Sequence, residues 1–338
     1  MPNIASSTRE MWEASVKDQI YMALPLTAML FEHKREKVSG TKIQHTVGID
    51  THESLYQAYS VNDPLTSGDK TILALANWLW KKSQVPVEYN ADEEIQNQGA
   101  DQATAPIDLI EAKVASAQEG MRRGLNSAFW TAPASPYEGA TLKNFQGIQG
   151  ALLHDIVYGG ITRTIGSTLA TYWQGASLAD DYADAATAVT PSIPNLRRMI
   201  QIVRRHRPNN EKLYAIMDEK NHAAFKAQVQ ASITYPDSGS KNLKKYGFDT
   251  FTIDGVEMVC DSWLDTNSGY ATTYKYFALL NPATWVLHIH PDRNMKLRPF
   301  KWQGEGVNGL DKYVARALVA GNLVCTQPNA NMFKSNMA

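Results

Sequence analysis

Several things are scarce in this sequence, and each shortage removes a class of function. Cysteine occurs only at Cys260 and Cys325, 65 positions apart. That spacing suits neither a zinc finger nor a C-x-x-C redox pair, so both read as reduced core thiols. No sign of charge dominates: 33 Lys and Arg stand against 34 Asp and Glu, a net of -1. A dedicated nucleic-acid binder carries a clear basic surplus. No apolar run is long enough for a bilayer; the longest, 71–80, is short and contains Asn77. The opening MPNIASSTREMWEASVKD has no apolar core of a secretion signal. The chain therefore reads as a soluble intracellular product. The signatures H-E-x-x-H and G-x-S-x-G are missing as well.

The residues present in quantity support a packed core. Apolar residues make up 43% and charged residues 20% of 338 positions, a length that suits two substructures. Trp12, Val16, Ile20 and Leu24 recur every four residues, one helical stripe that Pro25 interrupts before the charged run EHKREK (32–37). Residues 41–100 read as strands: Ile43, Val47 and Ile49 alternate with polar residues, NDPLTSGD is a turn, and Pro86 suits an edge strand. TILALANWLW (71–80) fits a strand or a short helix. Over 101–130, Ile107, Ile110, Val114, Ala117, Met121, Leu125 and Ala128 form one apolar stripe, with Thr104 as cap and Pro106 in the first turn. Helices are expected at 192–208, capped by Ser192, and at 218–231. A buried strand is expected at 212–217, a hairpin at 248–261 around Asp254-Gly255, and strands across 274–326.

The chemical candidates are few. VYGGITRTIGSTLATYW (157–173) has the materials of a phosphate cradle but fails as a P-loop. Five residues separate Gly160 from Gly166, and Ser167 stands where lysine is needed. GEGVNG (304–309) fits G-x-G-x-x-G, yet residues 310–319 alternate like a strand and only 29 residues remain after the motif. His288 and His290 share one face of a strand, as metal ligands do, without a third ligand nearby. Asp180-Asp181 and Glu93-Glu94 read as solvated loop charges. Arg197, Arg198, Arg204, Arg205, His206 and Arg207 give a basic helix face, suited to nucleic acid or to acidic loops of a neighbouring copy.

The order of elements resembles the major capsid proteins of tailed bacteriophages, whose α+β Hong-Kong-97-type fold is shared with encapsulin shells. GTKIQHTV (40–47) resembles the approach to their extended loop. NQGADQATAPIDLIEAKVASAQEGMRRGL (97–125) resembles the run into their long spine helix. FQGIQGAL (145–152), then YGGITRT and Trp173, resemble a glycine-glycine-isoleucine-x-arginine segment with a later tryptophan. FTIDGVEMVCD and NPATWVLHIHPD resemble axial-domain strands. The resemblance covers roughly residues 8–330. It implies an N-terminal arm (1–40), an extended β-ribbon (41–100), a peripheral domain with the spine helix (101–150), an axial domain (151–280) and return strands completing the peripheral domain (281–338).

The resemblance further implies a coat subunit that assembles with itself into hexamers and pentamers of an icosahedral shell around double-stranded DNA. Its other partners would be a separate scaffolding protein, a portal and a decoration protein. No catalytic residue, cofactor, metal or membrane is expected. On this reading Gly159 and Gly160 permit a backbone turn, Arg163 ties it to a carbonyl or carboxylate, and Trp173 packs beneath it. Arg197, Arg198, Arg204, Arg205 and Arg207 would face DNA or a neighbouring subunit. The rivals are an encapsulin-like compartment and, from another class, a soluble α/β enzyme with a His288/His290 metal site.

Overall fold

The computed structural model describes residues 24–36, 40–48, 50, 52–65, 67–69, 71–90, 92–93, 109–130, 143–153, 157–163, 173–176, 189–206, 212–230, 250–266, 276–302, 311–334 and 337. The N-terminal stripe of Trp12, Val16 and Ile20, the helix start at Thr104 and Pro106, the GEGVNG segment, Asp180-Asp181, Glu94 and Arg207 lie outside these residues.

In chain order the elements begin with helix α1 (Pro25–Glu32) and strand β1 (Lys34–Glu36). Pro25 opens this helix: at the first helical position its missing N–H costs nothing. The charged run after α1 forms an exposed three-residue strand. Next come β2 (Lys42–Gly48), β3 (Leu73–Leu79) and β4 (Lys81–Asn90), so the ambiguous stretch 71–80 is a strand. The long helix α2 (Leu109–Trp130) is followed by the short α3 (Ile148–Leu152) and the two-residue strands β5 (Val157–Tyr158) and β6 (Ile161–Thr162).

Helix α4 (Ile193–Arg205) starts at Ser192, whose hydroxyl accepts the Asn195 N–H at 3.4 Å. Then come β7 (Leu213–Met217), α5 (Glu219–Gln230), β8 (Thr250–Ile253), β9 (Val256–Cys260) and α6 (Trp263–Thr266). The chain closes with β10 (Phe277–Leu280), β11 (Trp285–Ile289), β12 (Lys296–Leu297), β13 (Lys301–Trp302), β14 (Lys312–Cys325) and β15 (Met332–Lys334). Asp254 (φ 49°) and Gly255 (φ 78°) are both left-handed, the backbone of a tight hairpin turn that matches strand twist.

Two compact units are built from interleaved segments. The larger (22–83, 124–292 and 320–338) holds a five-stranded sheet in the order β15-β10-β7-β9-β8. Leu196, Met199, Ile200 and Val203 of α4 and Phe225 of α5 pack on Leu213, Ala215, Met217, Val256 and Phe277 of that sheet. In the same unit β1 runs parallel to β11, and β11 pairs antiparallel with the C-terminal half of β14. A buried network anchors its helices: Trp130 Nε1 donates to Asp261 Oδ2 at 2.7 Å, and Thr27 donates to Asn126 at 2.8 Å.

The smaller unit (84–123 and 293–319) pairs the N-terminal half of β14 with β12 and β13. Its apolar centre is Val87, Ala117 and Ala315, flanked by Val85, Val114, Leu297 and Phe300. Tyr89 stacks on Tyr313 with ring centres 5.0 Å apart. Glu93 is not merely a solvated charge. The Lys113 ammonium, 2.6 Å away, and the Asn90 N–H together hold its carboxyl below the usual carboxylate range.

Candidate assembly site

The strands β2 and β3 pair over their full length, from Lys42↔Leu79 to Gly48↔Leu73, and form a two-sided ribbon. Side chains alternate across a strand, so each face has its own composition. The inner face carries Ile43, Ala76 and Trp78, all buried. The outer face carries Leu73, Leu75 and Leu79, which are 37–56% exposed. Beyond the ribbon strands, Tyr56, Tyr59, Val61 and Leu65 are also exposed, Val61 to 98%. Outward leucines cost solvation free energy unless something covers them.

The inner face rests on the glycine turn. Gly159 and Gly160 connect β5 to β6 with φ of +62° and +74°, a backbone that side chains disfavour. Gly159 also meets a close neighbour: a Cβ there would lie 2.9 Å from the Ala76 Cβ and 3.0 Å from the Trp78 ring. Its carbonyl accepts the Asn77 N–H at 2.8 Å. Glycine thus lets the turn reach the ribbon backbone directly. Beneath it, Tyr158 meets Trp78 edge to face at 5.5 Å, and Trp173 donates its indole N–H to the Tyr158 carbonyl at 3.0 Å.

Arg163 has no solvent exposure. Its guanidinium donates to the carbonyls of Gly150 and Ala151, each at 2.8 Å, and of Trp173 at 3.3 Å. It also lies 5.2 Å from the centre of the Tyr158 ring. The structure therefore brings Gly159, Arg163 and Trp173 together in one buried cluster, with Gly160 on the exposed side of the same turn. Three carbonyls at the end of α3 and beside Trp173 satisfy a charge whose burial is otherwise costly.

The arginines of α4 are divided. Arg197 Nε donates to the Asp254 carboxylate at 2.9 Å, and Arg204 donates to the Asp254 carbonyl. Both brace the β8–β9 turn within the same chain, a use that chain order alone does not reveal across 50 or more residues. Arg198 and Arg205 are exposed.

His288 and His290 diverge. The His288 Nε2 faces His45 Nε2 at 3.1 Å, whereas His290 lies beyond the strand, its ring 6.1 Å from Trp80 and its Nδ1 accepting the Asp292 N–H. Among the described residues no group of three or more His, Cys, Asp or Glu converges on a metal position. Among the described residues no helix is long and apolar enough to cross a membrane.

No protein-family model matches the chain, and no curated protein matches it. Solved structures do. The cyanophage A-1(L) capsid asymmetric unit superposes with a TM-score of 0.68 at 14% identity, covering 96% of each chain. The fold is that of a tailed-phage capsid protein. A Mycobacterium phage Ogopogo structure matches at TM-score 0.56 and 13% identity over 98% of each chain. The holo-SrpI encapsulin complex from Synechococcus elongatus matches at TM-score 0.56 and 14% identity, over 100% of this chain and 96% of that one. The capsid fold thus accounts for nearly the whole length of the chain, ribbon included.

Proposed function

We propose that this chain is the major capsid subunit of a tailed phage. Copies assemble through hexamers and pentamers into an icosahedral shell around double-stranded DNA. The observation that carries this reading is the two-faced ribbon: its inner face is seated on its own subunit, while Leu73, Leu75 and Leu79 remain exposed on the other face among the described residues. A second copy supplies their cover, and repetition of one contact around rings builds a closed shell. Each contact is weak alone and the shell holds by their number.

In this shell residues 1–40 form the arm and 41–100 the ribbon. Residues 101–150 and 281–338 form the peripheral domain and 151–280 the axial domain. The subunit is structural, with no catalysis and no cofactor. It is made in the host bacterial cytoplasm and ends in the virion. A separate scaffolding protein, a portal and a decoration protein are its other partners. Arg198 and Arg205 are exposed cations available to a neighbouring subunit or the packaged DNA. A second reading, an encapsulin-like compartment loaded with protein cargo, draws on the SrpI likeness.

Electron microscopy with sedimentation velocity tests the proposal. Purified protein, alone or with its scaffolding partner, is expected to give rings or closed shells. The variant Leu75→Asp is expected to stay folded but unassembled. A wild-type monomer or dimer under every assembly condition would overturn it. DNA or protein inside isolated particles separates phage from compartment.

A further inference from the structure

The contact between His45 and His288 joins residues 243 positions apart and lies at the root of the ribbon. The two ring nitrogens are 3.1 Å apart and the ring centres 5.3 Å apart, so the imidazoles meet nearly end to end. One Nε2 must donate and the other accept. The contact therefore holds with a single proton between the facing nitrogens and fails when both carry one, because two N–H groups then point at each other.

His288 is buried on β11 between Arg35 of β1 and Asn322 of β14. His45 lies on β2 opposite Ala76, with the edge of Trp78 against its ring at 5.8 Å. Within the same compact unit, the charged side chains on the surrounding elements are Glu32 on α1, Lys34, Arg35 and Glu36 on β1, Lys42 on β2 and Lys81 and Lys82 on β4. Of these, Arg35 lies opposite His288 in register, and a cation there adds to the cost of a second imidazolium. The paired strands β3 and β14 contribute Ala76, Trp78 and Asn322 at the contact, all neutral.

We infer that His45 and His288 form an acid-released clasp that fixes the ribbon root to the β11 strand at neutral pH and frees it in acid, below the range in which histidine ordinarily gains its proton. The sign follows from proton counting. The released state binds one proton more than the clasped state, so falling pH favours release and rising pH restores the clasp. Release alters the angle at which the ribbon leaves the subunit. The clasp is an intrasubunit device, and only its consequence for a shell rests on the function proposed above.

Hydrogen–deuterium exchange on dilute, dissociated protein tests it, so a failure here is separate from a failure to assemble. After correction for intrinsic exchange, protection of 42–48 and 73–79 is expected to fall about tenfold between pH 7.5 and pH 5.0, while 213–217 and 256–260 stay protected. His45→Gln still hydrogen-bonds but cannot gain a proton, and is expected to abolish the change. His288→Gln serves the same purpose if His45→Gln does not fold. The inference is overturned by unchanged ribbon protection in the wild type. It is equally overturned by the same loss in the glutamine variant, or by loss shared with the axial strands.

Discussion

Gly159→Ala is the most informative single change in this chain. It adds one carbon at a place where two separate costs meet. The backbone there has φ +62°, which costs a residue bearing a Cβ about 1–2 kcal/mol. The new carbon would also lie 2.9 Å from the Ala76 Cβ and 3.0 Å from the Trp78 ring, inside contact distance of a ribbon strand that is itself hydrogen-bonded to this turn. Overpacking of this kind adds about 1–3 kcal/mol. Together they give about 2–5 kcal/mol. The neighbouring Gly160→Ala is the control: it has φ +74° but is exposed, so its cost is chiefly that of the backbone, partly offset by a stiffer unfolded chain. Urea unfolding of both variants, read by tryptophan fluorescence, isolates the steric part as their difference. Equal losses for the two alanines would refute the claim that Gly159 is there to admit the ribbon.

Three further outcomes are expected. Arg163→Lys should lose most of the roughly 3–5 kcal/mol expected for Arg163→Met, since one ammonium cannot serve three buried carbonyls spread from Gly150 to Trp173; a lysine variant as stable as wild type in urea would contradict this. Burial pushes the Cys325 thiol up to about 12, so a thiol reagent at pH 8 should modify only the half-buried Cys260 until the protein unfolds, and equal labelling of both by mass spectrometry would contradict it. Desolvation, with Arg205 beside it, holds the His206 imidazole below the usual histidine range. The folded state then binds fewer protons than the unfolded one, so this group subtracts stability as pH falls through about 6.5, and His206→Gln should flatten that part of the curve measured between pH 7.5 and 5.

Elements whose signals are local were legible in the sequence. The Ser192 cap and the Leu196, Ile200, Val203 stripe mark α4, and Asp254-Gly255 marks its hairpin, because the residues that decide them are adjacent in the chain. The α1–β1 region was not. Pro25 reads equally as a stop or a first helical residue. Lys34–Glu36 has no apolar alternation because it is an exposed strand held by backbone pairing to β11. The stretch 71–80 could be resolved only by its partner β2, since a nearly continuous apolar run has no period of its own. At the site, the glycine pair and Arg163 stood out by composition, but their partners Ala76, Trp78 and Gly150 are set by tertiary contact. The splitting of the α4 arginines and the divergence of His288 from His290 belong to the same class: each depends on a residue dozens to hundreds of positions away.

The pairing of β1 with β11 also sets a clock on synthesis. Arg35 lies opposite His288, so 253 residues (288 − 35) must be translated before the early strand meets its partner. At a synthesis rate of about 5–20 residues per second this is roughly 13–50 s. The five-stranded sheet waits longer still, since its edge strand β15 is made after all the others. Until then the ribbon has no finished body to root on and no fixed direction. If the proposed function holds, an unfinished chain cannot present the outward leucines in the geometry a ring of neighbours would recognise, and growing chains crowded on one messenger are kept from joining a lattice too early.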